Sequence, residues 1–342
     1  MSNKRNELMP LMSIVGILLV VLGHSGYAGT NIGEDCPNLC KWIYNFHMPL
    51  FFFISGFLFS LTNTSFLEMD KKRLIGKKVD RLLVPYIVIG VLLFAVKFVF
   101  SSFASVERSF SLGAFLKMFV APSAEGSTMG YLWYLITLFM IFFVMALLAL
   151  ARIDLKKPLW CLGTIVASWA LLQLVGRIEW LNFGQVLWYM PFFLLGIVYK
   201  RYDTAVHRTL IGGGILNVLC SVALSVGLVY APVDSLSFAY RVAAALVGIW
   251  MTLSLCSVLG RNSFVKDRIL PFSRYTYSIY LLSWFGQYAT KIVVVNILHL
   301  NAFVCIPLLF VMGVAVPLVI DKAVDKIDSN RKCRWMRLVI GY

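Results

Sequence analysis

The sequence predicts an all-α polytopic membrane protein, a bundle of about ten transmembrane helices. Three observations predict it. Long apolar runs recur along the whole chain, the gaps between them are short, and Lys and Arg gather in alternate gaps.

Of 342 residues, 60% are hydrophobic and only 14% are charged, with a mean hydropathy of +0.83. A soluble domain is about half apolar and about a quarter charged. The apolar runs are continuous and do not alternate with the period of two that a membrane β-barrel shows. A helix needs roughly 20 mostly apolar residues to cross a bilayer, and it satisfies its own backbone there. The net charge of +15 would suggest nucleic acid in a soluble chain. Here the cations sit between apolar runs and read as orientation signals, so no nucleic-acid partner is expected.

Ten spans are read near 9–28, 43–63, 82–103, 131–150, 159–176, 183–199, 209–230, 239–259, 276–297 and 302–320. The first run lacks a clear small-residue cleavage site and is followed by many more spans, so it reads as a mature helix. The longest connection, 104–130, is broken by Pro122, Gly126 and Gly130 and holds an amphipathic piece near Phe115 to Val120. No connection has room for a soluble domain, so residues 1–342 are read as a single transmembrane domain. Alternate gaps hold 24 and 7 of the 31 basic residues. The richer set includes Lys4, Arg5, the run Lys71 to Arg81, and Lys322 to Arg337, and is assigned to the cytoplasm, with both termini. The tail from Asp321 to Tyr342 mixes both charge signs and reads as a short helix on the cytoplasmic membrane surface.

Of the seven cysteines, Cys161, Cys220, Cys256 and Cys305 fall in spans and read as apolar packing. Cys36 and Cys40 share one outer loop, where an oxidising compartment allows a disulfide. Their spacing is not that of a zinc site, and no metal is expected.

Two histidines stand out because ionisable residues in spans are expensive and mark function. His24 lies in the first span, roughly 22 Å from Met9 at about 1.5 Å per residue, in the outer half of the membrane. His47 opens the second span just before Pro49. Alone, His24 reads equally as a helix-end residue bonded to a carbonyl, and His47 reads first as a helix cap at the interface. On antiparallel neighbouring helices they lie at similar depth, where two imidazoles can serve as a general base or an acyl relay. The run that contains Arg73, Lys77, Lys78 and Arg81 reads first as an anchor on anionic lipid headgroups. Its functional reading is a phosphate clamp for a phosphorylated cofactor. His207 and His299 read as solvated loop residues. Trp133, Tyr134, Gln185, Trp188, Tyr189, Gln287 and Asn296 lie near span ends, most of them read as a headgroup belt. No nucleophile elbow, P-loop or dinucleotide fingerprint is present.

Four segments carry a resemblance. They are Ile17 to Ser25, Phe46 to Leu58, Lys77 to Tyr86, and Tyr275 to Leu282, with weaker echoes at Leu132 to Leu135 and Trp188 to Gly196. In this order the chain resembles the membrane acyltransferase-3 family of O-acyltransferases. The resemblance implies about ten helices in a bacterial cytoplasmic membrane. It also implies transfer of an acyl group, commonly acetyl, from cytoplasmic acyl-CoA. Its usual acceptors are sugars of surface polysaccharides or lipid-linked glycans. The histidine matching His24 is essential in that family, and those matching His47 and Arg81 with its basic neighbours are implicated. The chain departs from the family at Ser13, where many members carry Arg or Lys, and at Leu282-Ser283-Trp284, where many have a histidine after the leucines. A transporter or flippase for a lipid-linked glycan, or a catalytically inactive membrane sensor, are the competing readings. Flippases are expected to show inverted repeats or intramembrane charges.

Overall fold

The computed structural model describes residues 7–29, 31–63, 65–100, 112–123, 130–155, 157–176, 178–206 and 212–328. Lys4, Arg5, Arg108, Glu125, Gly126, Lys156, Arg177, His207, Arg208 and the tail from 329 onward, with Cys333, lie outside the described residues.

Helices lie over all ten apolar runs. In chain order they are α1 Leu8–Gly23, α2 Pro37–Thr62, α3 Lys71–Lys78, α4 Val84–Phe100, α5 Leu112–Val120, α6 Trp133–Leu150, α7 Pro158–Val175, α8 Phe183–Val206, α9 Gly214–Tyr230, α10 Phe238–Leu259, α11 Thr276–Lys291 and α12 Ala302–Ile327. The amphipathic piece expected in the long connection is α5. A π turn at Val79–Leu83 fuses α3 to α4, and another at Ile292–Ile297 prolongs α11. Among the described residues, seven helices are long and apolar enough to cross a membrane, and α1 and α9 are shorter apolar helices.

Local signals set the helix ends. Asp70, Ser237 and Asn301 each accept a hydrogen bond from the amide three residues on, satisfying one of the orphan donors of α3, α10 and α12. Pro158 begins α7 where its missing N–H is not needed. The helix α7 turns Leu159, Leu162, Val166 and Leu174 outward, as a lipid-facing helix does.

The chain divides into two compact units. One holds the described residues up to Leu58 and those from Gly196 onward; the other holds Phe59 to Leu195. In the first unit α11 and α12 pack along each other, as do α9 and α10, and α1 packs on α10, α11 and α12. Ile17, Val20 and Val21 of α1 meet Ile279 of α11 in its core. In the second unit α3 and its π turn pack on α6.

Candidate active site

Two glycines bring α1 against α2. A Cβ on Gly16 would stand 2.9 Å from Phe51 Cζ, and one on Gly23 would stand 3.1 Å from Tyr44 Cε2. The contacts run down α2 as they run up α1, so the two helices are antiparallel and close. That approach delivers the end of α1 to the middle of α2. The end itself is abrupt. Helical backbone stops at Gly23, and His24 follows as the cap with φ −95° and ψ 5°.

His47 does not open its helix. The helix α2 starts at Pro37, so His47 lies within it, buried, and Pro49 is an interior proline. Its Nδ1 stands 2.8 Å from the Ile43 carbonyl oxygen. A carbonyl only accepts, so Nδ1 carries a proton, and when the ring is neutral Nε2 keeps a lone pair. The rotation of α2 is fixed from its other side. Lys41 Nζ donates to Val229 O at 2.8 Å, Trp42 Nε1 to Ser225 Oγ at 2.8 Å, and Asn45 Nδ2 to Tyr240 Oη at 3.1 Å.

The structure brings the two histidines together on one ring. Tyr44 meets His24 edge-on at 6.2 Å between centroids and His47 at 4.9 Å. Tyr44 keeps 40% of its surface exposed, so the ring that both imidazoles share reaches the molecular surface. Sequence reasoning missed Tyr44, although its place three residues before His47 puts it on the same helix face. Aromatic pairs contribute about 0.5–1.5 kcal/mol, or roughly two- to tenfold in a rate that depends on them. Tyr44→Phe, which keeps the ring, is expected to hold wild-type transfer rates, and Tyr44→Ala to lose within that range. Initial rates in membranes of equal protein content check both.

The loop after His24 is tied to α11. Gln287 Nε2 donates to Val21 O at 2.8 Å and to Ser25 Oγ at 3.0 Å. Lys291 Nζ donates to Gly29 O at 2.7 Å and to Gly26 O at 3.1 Å. Gln287 is therefore buried polar structure and not part of a headgroup belt. The signal for it was the four-residue spacing of Gln287 and Lys291, one helical turn apart.

The basic run lies in the other unit and divides by helical face. Arg73, Lys77 and Arg81 follow each other at four-residue spacing, all exposed. Lys78 is half-buried, with its ammonium 3.9 Å from the centre of the Phe142 ring on α6. The π turn at Val79–Leu83 carries Arg81, and such turns recur at functional sites. Ser13 spends its hydroxyl on the Met9 carbonyl at 2.9 Å, an ordinary bond within a helix. Cys36 and Cys40 are free thiols. Trp133 and Tyr189 pair at 5.2 Å beside a turn in which Leu181 and Asn182 both have positive φ.

Apolar helices of membrane-spanning length define an integral membrane protein, and two of its imidazoles meet one tyrosine ring. A family model described as an acyltransferase domain, of the acyltransferase-3 type, matches residues 11–322. The chain belongs to this family of membrane acyltransferases. No curated protein and no solved structure matches the chain.

Proposed function

We propose that the protein is an O-acetyltransferase of a bacterial cytoplasmic membrane, with both termini in the cytoplasm. It transfers an acetyl group from cytoplasmic acyl-CoA to a hydroxyl of a cell-surface or lipid-linked glycan. The observation that carries this reading is the meeting of His24 and His47 on the Tyr44 ring, within a chain of the acyltransferase family.

In the proposed reaction the acceptor oxygen attacks the thioester carbonyl carbon. The C–O bond forms as the C–S bond breaks. The hydroxyl proton passes to His24 and is returned to the departing CoA thiolate, so no external acid or base is consumed. His47 assists, its ring oriented by the Ile43 carbonyl. The exposed cations Arg73, Lys77 and Arg81 hold the phosphates of the donor, as Arg and Lys commonly do. Lys78, turned onto Phe142, contributes packing to that helix.

Arg73→Gln, Lys77→Gln and Arg81→Gln are each expected to raise the KM for acetyl-CoA roughly three- to tenfold, the modest range that solvent screening leaves to exposed cations. Their kcat should change little, and Lys78→Gln should leave the KM near wild type. Steady-state rates against donor concentration check this.

The reading itself is tested with washed membranes, labelled acetyl-CoA and a glycan pool. Label transfer to glycan supports the enzyme. Glycan movement without label identifies a transporter, and neither result identifies an inactive sensor.

A further inference from the structure

The helix α1 holds His24 by one last bond, from its N to Val20 O at 3.1 Å. The helix α1 has 16 residues, about 24 Å at 1.5 Å per residue, against a hydrocarbon core of about 30 Å. Beyond Gly23 the chain leaves helical geometry, and non-helical backbone near a bilayer requires its polar groups to be satisfied inside the protein. Within the loop, Ile32 N donates to Gly23 O at 2.9 Å and Tyr27 N to Asp35 Oδ2 at 2.7 Å. Three carbonyls around His24, those of Val21, Gly26 and Gly29, are met by two side chains of α11.

Val21 O would bond the amide of residue 25 if α1 continued. Ser25 N turns instead to Leu22 O at 3.0 Å, and Val21 O accepts from Ser25 Oγ at 2.7 Å and from Gln287. Gln287 thus caps a carbonyl of the last turn of α1, three residues before the base. Lys291, one turn further along α11, holds the carbonyls of Gly26 and Gly29. The four anchored positions, 21, 25, 26 and 29, flank His24 on both sides. Gln287 is itself locked, because α12 presents Gly313 there. A Cβ on Gly313 would stand 2.9 Å from Gln287 Cγ and 2.7 Å from Val21 Cγ1. A buried amide and an ammonium between apolar helices are costly, and an apolar residue of equal volume would fill the space more cheaply. Both groups spend their donors on the backbone that carries His24.

We infer that Gln287 and Lys291 are positioning residues for acyl transfer, holding the His24 backbone in its reactive place. This inference rests on the reading of His24 as the base. Misplacement of a reacting group by about 1 Å can lower a rate as much as about a hundredfold.

The test uses the full chain in membranes as wild type, Gln287→Met, Lys291→Met and Lys291→Arg. Two quantities are measured: kcat and donor KM for acetyl transfer, and the rate at which diethylpyrocarbonate modifies His24, followed by mass spectrometry. The Met variants are expected to lose about tenfold or more in kcat, with little change in donor KM, and to alter the His24 modification rate. Lys291→Arg, which can still donate to both glycine carbonyls, should recover most of both. If a Met variant does not accumulate, Ser25→Ala decides, since it removes only the hydroxyl between Val21 and Gln287. It is expected to shift both quantities in the same direction by a smaller factor. Unchanged kcat and unchanged modification in the variants that accumulate would overturn the inference. Full activity of His24→Ala would instead overturn the reading of His24 as the base, and the modification rates in the other variants would still report whether α11 holds the loop.

Discussion

Membranes that carry His24→Ala are expected to transfer acetyl groups roughly 10²–10⁴-fold more slowly than wild type, the range that a positioned general base supplies. The protein should accumulate normally. What anchors this stretch is backbone and neighbouring side chains: His24 N donates to Val20 O, and Gln287 and Lys291 hold residues 21, 25, 26 and 29. None of these bonds uses the imidazole. A base that takes the acceptor proton and returns it to the departing thiolate acts in the reaction and not in holding the donor, so the loss should fall in kcat with the KM for acetyl-CoA near wild type. The same substitution at His47 is less clean. It would also remove a buried side chain and the bond from its Nδ1 to the Ile43 carbonyl, a loss of about 0.5–1.5 kcal/mol in stability for the bond alone, which mixes with any loss of chemistry. Initial rates in washed membranes with labelled acetyl-CoA decide the matter. Wild-type transfer by His24→Ala would remove this residue from the reaction.

The class of fold was legible because a membrane imposes it. Apolar length and the placement of Lys and Arg are one-dimensional properties, and they carry the helices directly. Helix ends were less so. The helix α2 begins six residues before the apolar run that announces it, because Lys41, Trp42 and Asn45 find partners on α9 and α10. Hydropathy leaves Lys41 and Trp42 outside the run, since it registers polarity and not whether a partner satisfies it. His24 and His47 were legible for the opposite reason: a titratable group in an apolar run is rare enough to stand out. Tyr44, Gln287 and Lys291 were not. Their roles come from contacts between α1, α2 and α11, and the partners in α11 lie more than 260 residues from the His24 loop. The basic run was read as one cluster, and helical periodicity divides it. Arg73, Lys77 and Arg81 share an exposed face while Lys78 turns onto Phe142.

The second large effect lies away from the imidazoles, at Gly248 on α10. A Cβ there would run into Cβ and Cγ of Phe46, a side chain with no exposed surface. The obstructing atoms are the root of the ring and not its far end, so no rotamer relieves the clash and one helix must move. Overpacking of this kind costs about 1–3 kcal/mol and occasionally more. Phe46 precedes His47 directly, and a shift of α2 carries Tyr44 and His47 with it. Gly248→Ala is therefore expected to lower both the thermal stability of the detergent-solubilised protein and its kcat. The control is Gly163→Ala on α7, where the added methyl meets nothing within 4 Å. Both substitutions gain the same intrinsic helix preference, about 1 kcal/mol for Ala over Gly. The propensity term cancels in the comparison, and the remaining difference is the contact with Phe46. Gly163→Ala should unfold at or slightly above the wild-type temperature, and Gly248→Ala several degrees below it, as about 1 kcal/mol displaces the midpoint of a chain this size by a few degrees. Equal midpoints for the two variants would show that α2 and α10 are not held in this contact, and the placement of His47 would lose its support from that side.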